Sequence, residues 1–72
     1  MIIHYSNECK EELTLIENFF NWVNLKTKNQ EHEKEEFISF SKGKNCPILF
    51  EGDRILGIGF YGIVKYMESK KT

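Results

Sequence analysis

The strongest constraint on this chain is its single proline, Pro47, which opens the run Pro47-Ile48-Leu49-Phe50-Glu51. A Gly52-Asp53 pair separates that run from a second one, Arg54-Ile55-Leu56-Gly57-Ile58, and two such runs across a Gly-Asp pair predict a β-hairpin. Proline has no N–H to donate, so it suits the first position of a strand. It also restricts the preceding residue, Cys46, to extended backbone and makes a cis bond between them accessible. Cys46 is therefore expected to be held rigidly. The other cysteine of the chain, Cys9, follows an N-terminal apolar run, and the functional question becomes whether these two sulfurs meet.

The chain has 72 residues, room for one small domain over 1–72 in which folding buries only about 60% of the unfolded surface. With 40% apolar and 14% aromatic residues it has the material for a compact core, and disorder is not expected. Ten basic and eleven acidic residues are spread along the chain, net charge −1, so no basic footprint for nucleic acid or an anionic membrane is expected. The start, Met1-Ile2-Ile3-His4-Tyr5, reads neither as a signal peptide nor as a membrane span, which predicts a cytoplasmic protein. In a reducing compartment two cysteines are free, metal-bound, redox-active or simply small buried apolar residues.

In chain order, Ile2–Tyr5 reads as a strand buried on both faces, and Ser6-Asn7-Glu8 as turn and cap chemistry. A helix starting near Cys9 follows, with Leu13, Ile16, Phe20 and Val23 on one face, widened by Leu15, Phe19 and Trp22. Leu25-Lys26-Thr27-Lys28 alternates as a short strand would. Glu31-His32-Glu33-Lys34-Glu35-Glu36 suits the positive end of a second helix that buries Phe37, Ile38 and Phe40 and stops at Gly43. After the hairpin, Gly59 or Gly62 opens a last helix with Ile63, Val64, Tyr66 and Met67 inward. The expectation is an α/β fold with a four-stranded mixed sheet and three helices in the order βαβαββα. Its first two strands are parallel and its last two antiparallel.

A thiol at a helix N-terminus sees unpaired N–H groups and positive partial charge, which favour the thiolate, and Lys10 adds to this. Glu8, Glu11 and Glu12 oppose it. His4 and His32 match no zinc spacing with the cysteines and read as structural, so no metal site is expected. Serine-hydrolase, phosphate-loop and dinucleotide signatures are absent from the sequence.

With Cys9-Lys10-Glu11-Glu12 after the first strand, Cys46-Pro47 opening the third and Gly57-Ile58-Gly59 ending the fourth, the chain resembles the glutaredoxin branch of the thioredoxin fold. Pro47-Ile48-Leu49-Phe50-Glu51-Gly52-Asp53 followed by Gly59-Phe60 is also similar to the redoxins that serve ribonucleotide reductase and, more loosely, to the N-terminal domain of glutathione transferases. The resemblance spans nearly the whole chain. It implies a monomeric thiol–disulfide oxidoreductase without a bound cofactor, acting on protein disulfides or glutathione mixed disulfides with glutathione as co-substrate. It makes Cys9 the nucleophile, and Pro47, Phe60, Tyr61 and Gly62 the residues that bind substrate. Glu12 stands where that family carries its second cysteine. In the fold that is resembled, the first and third strands are neighbours, so Cys46 would lie beside Cys9, close enough to bridge and to act as resolving thiol. The competing expectation is a thioredoxin-fold binding or adaptor module without redox chemistry.

Overall fold

The structure is a computed structural model that describes residues 1–22 and 26–71. Val23 and Leu25, assigned above to a helix face and a strand, and Thr72 lie outside the described residues. The elements are β1 (Ile2–Ser6), a single 3-10 turn (Asn7–Cys9), α1 (Lys10–Trp22), β2 (Lys28–His32), α2 (Lys34–Ser41), β3 (Ile48–Glu51), β4 (Arg54–Ile58) and α3 (Gly59–Lys71). Four strands form one mixed sheet in the order β2-β1-β3-β4. β1 runs parallel to β2, pairing Ile2 with Lys28 and Ser6 with His32. It runs antiparallel to β3, pairing Ile3 with Leu49, and β3 runs antiparallel to β4 around the Gly52-Asp53 turn.

Alternation along β1 sends Ile3 to one face and His4 to the other. On the Ile3 face, Leu13, Ile16 and Phe20 of α1 and Ile63 and Met67 of α3 close over Ile3 and Leu49 as one buried cluster. Burying each such side chain is worth about 1.5–3 kcal/mol, so this face supplies most of the cohesion. Gly57 of β4 permits it to close: a Cβ there would sit 2.7 Å from the Gly62 carbonyl oxygen of α3. Strand and helix thus touch backbone to backbone. Gly59 turns the chain from β4 into α3 with a positive φ of 76°, and its N–H donates to the Pro47 carbonyl at 2.7 Å.

Three expectations are corrected. The second strand is Lys28–His32 rather than 25–28, which takes Glu31 and His32 out of the second helix and starts that helix at Lys34. β2 lies at the sheet edge, where solvated side chains give no apolar alternation. Ile38 and Phe40 are 49% and 37% exposed, and of the three apolar residues assigned to that helix's core only Phe37 is buried. A helix of two turns lays one narrow stripe on the sheet. Leu15 and Trp22, which widen the apolar stripe of α1 in the sequence, are exposed as well.

Candidate functional site: a cysteine pair clasped by Ser6

Cys9 ends the 3-10 turn that leads β1 into α1, and Cys46 precedes the first residues of β3. Since β1 and β3 are hydrogen-bonded neighbours, the two come together despite 37 positions of separation. They are joined as a disulfide with Cα atoms 5.9 Å apart, inside the usual range of about 4.4–6.8 Å. The Cys46–Pro47 peptide bond is cis.

The sulfurs differ in surroundings. Cys9 is 4% exposed, whereas Cys46 is half-buried. Between them stands Ser6, the last residue of β1 and itself buried. Its backbone N–H donates to the Cys46 Sγ at 3.3 Å, and its Oγ lies 3.7 Å from the same sulfur. Its carbonyl oxygen lies 3.4 Å from the Cys9 Sγ, a distance at which a reduced Cys9 thiol donates an S–H bond. Ser6 reads in the sequence only as turn chemistry; the signal that makes it a clasp is a backbone N–H, which no side-chain pattern carries.

The residues assigned to substrate binding lie along the start of β3 and α3. Pro47 is fully buried and Phe60 packs against the core, with its ring 5.5 Å from that of Tyr61. Tyr61 is 85% exposed, and Gly62 is taken up by the contact with Gly57. Around the 3-10 turn, Asn7, Glu8, Glu31, His32, Glu33, Lys34 and Glu36 line an open depression of about 650 Å³. Across it, Lys34 Nζ pairs with Glu8 at 3.0 Å. Its rim is rich in carboxylates.

On the opposite sheet face, His4 Nδ1 and His32 Nε2 share a hydrogen bond of 2.8 Å, a pairing that the sequence does not reveal. The Phe40 ring stacks on both imidazoles, and Phe50 meets His4 edge-on. Burial, and then the neighbouring His32, hold the His4 pKa below its ordinary value. Among the described residues no group of three or more His, Cys, Asp or Glu is placed to hold a metal ion, and no helix is long and apolar enough to cross a membrane.

No protein-family model, curated protein sequence or solved structure matches the chain. Function must be argued from the cysteine pair itself.

Proposed function

We propose that this domain is a glutaredoxin-like thiol–disulfide oxidoreductase of thioredoxin-like fold, order βαβαββα, working in the cytoplasm as a monomer. Its redox couple is Cys9 and Cys46 in place of a Cys-x-x-Cys motif. In the reaction a target disulfide takes two electrons from the dithiol: one target sulfur passes through a mixed disulfide with the domain, both leave as thiols, and the Cys9–Cys46 bond forms. The observation that carries the reading is that bond, made where β1 runs into α1 and β3 begins, with one of its two cysteines only half-buried.

Substrate would lie across Cys46 against Phe60 and Tyr61, with the exposed Tyr61 ring as a flat apolar contact for a protein disulfide or a glutathione mixed disulfide, while Pro47, which is buried, and Gly62 shape the backbone around it. Glutathione would serve as a co-substrate rather than a bound cofactor.

The test is a redox titration in dithiothreitol buffers read by mass, followed by turnover of a small disulfide with dithiothreitol as donor. A bridge that opens and closes reversibly, with turnover lost in Cys46→Ser, is expected. A bridge that forms but gives no turnover above the uncatalysed rate would favour the second reading, a redox-inactive adaptor. That reading draws on Phe40, Ile55 and Ile58, large apolar side chains left exposed on the described surface.

A further inference from the structure

We infer that Cys46, not Cys9, is the attacking sulfur, with Cys9 as the resolving thiol and Ser6 as the positioning residue that sets the two roles; the inference rests on the redox reading above. Sequence alone assigns attack to Cys9, because it precedes a helix.

The surroundings of the sulfurs point the other way. A thiolate keeps only the bonds in which it accepts. Cys46 accepts from the Ser6 N–H and stands beside the Ser6 hydroxyl, so both contacts stabilise its charged form. Cys9 instead faces the Ser6 carbonyl oxygen, and that contact favours the neutral thiol, which has a proton to give. Burial adds to the contrast: Cys9 is shut away from water, Cys46 is not. A single helix end favours a thiolate less strongly than full burial opposes it, and Glu8, Glu11 and Glu12 flank Cys9 in the chain. Access agrees with electrostatics, since an incoming disulfide approaches a half-buried cysteine more readily than a buried one.

The Cys46 thiolate attacks one sulfur of R–S–S–R′, forming Cys46–S–S–R, and R′–S⁻ leaves with the electron pair. Cys9 then attacks the Cys46 Sγ, forming the Cys9–Cys46 bond as the Cys46–S–S–R bond breaks, and its proton passes to the departing sulfur, which leaves as R–SH. The dithiol has been oxidised and the target disulfide reduced by two electrons.

The test labels the dithiothreitol-reduced wild-type protein briefly with iodoacetamide from pH 5 to 9 and assigns the label by peptide mass. A thiol whose pKa falls by one from about 8.5 gains about eightfold in thiolate at pH 7 and loses about threefold in nucleophilicity. Cys46 is therefore expected to label at least about threefold faster than Cys9, with access widening the margin. Equal rates, or Cys9 first, would overturn the assignment. Ser6→Ala should move the half-maximal labelling of Cys46 to higher pH, and an unchanged profile would overturn the part given to the hydroxyl. With cystamine, Cys9→Ser should gain one mixed disulfide at Cys46 and Cys46→Ser should gain none; the reverse pattern sinks the proposal. Failure of the redox reading looks different: wild-type protein would then give no turnover of a small disulfide above the uncatalysed rate, whichever cysteine labels first.

Discussion

A histidine held against a second histidine and between phenylalanine rings has little to gain from a second proton. The hydrogen bond between His4 and His32 needs one nitrogen as donor and the other as acceptor, so a doubly protonated pair loses it and sets two cations side by side. The folded-state pKa of His4 is lowered, which fixes the sign. Its contribution to stability is complete above the unfolded value of about 6.5 and is lost as pH falls through the folded one. Thermal melts should therefore show the melting temperature dropping between pH 7.5 and 5.5, and His4→Phe should flatten that drop. Equal slopes for both proteins would remove the histidine pair as its cause. The cysteines make a second residue-scale prediction: in the chain-entropy account, closing a loop of 37 positions stabilises by about 3–4 kcal/mol. Denaturant melts with and without dithiothreitol should differ by about that much, and coincident melts would mean that the bridge constrains nothing.

Among the elements, α1 offers the sharpest contrast because neighbouring positions face opposite ways. Ile16 is fully buried and Leu15 is exposed, so Ile16→Ala should cost about 2–5 kcal/mol and Leu15→Ala less than about 0.5. Similar losses at both positions would mean that α1 is rotated about its axis. At the β4–α3 junction, Gly57→Ala would drive a Cβ against backbone rather than a movable side chain, and a loss of about 1–3 kcal/mol is expected. An unchanged midpoint of unfolding would show that the two backbones separate freely. These elements also show what can be read in advance. α1 announces itself because Leu13, Ile16 and Phe20 bury one face of a regular period, and the hairpin because a Gly52-Asp53 turn separates two apolar runs. β2 does not, since an edge strand of Lys, Asn, Gln, Glu and His has almost nothing buried to set a period. The misplacement of His32 in a helix followed from that. It hid the histidine pair, whose members meet only because β1 and β2 are parallel and Ser6 lies opposite His32.

At the scale of the whole molecule, both cysteines were legible as candidates, and their meeting follows from β1 and β3 being neighbours. The clasp by Ser6 was not legible, because it depends on where one backbone N–H points. Charge adds a prediction of its own: Glu8, Glu31, Glu33 and Glu36 rim the depression beside the 3-10 turn, with Lys34 and His32 as the basic residues there. A dicationic disulfide such as cystamine should react faster than the anionic glutathione disulfide. Raising salt from about 0.1 M to about 1 M, which shortens the screening length from about 10 to about 3 Å, should narrow the gap. A rate ratio that ignores salt would show that the carboxylates do not govern approach.

The bridge also has a mechanical meaning. It encloses α1, β2 and α2, while β3, β4 and α3 lie beyond Cys46. Pulled from its two ends, the oxidised chain can pay out only what lies outside that loop. Reduction would lengthen the fully stretched molecule by roughly 120 Å at about 3.3–3.6 Å per residue, so the contour length of one molecule held in an optical trap reports its redox state.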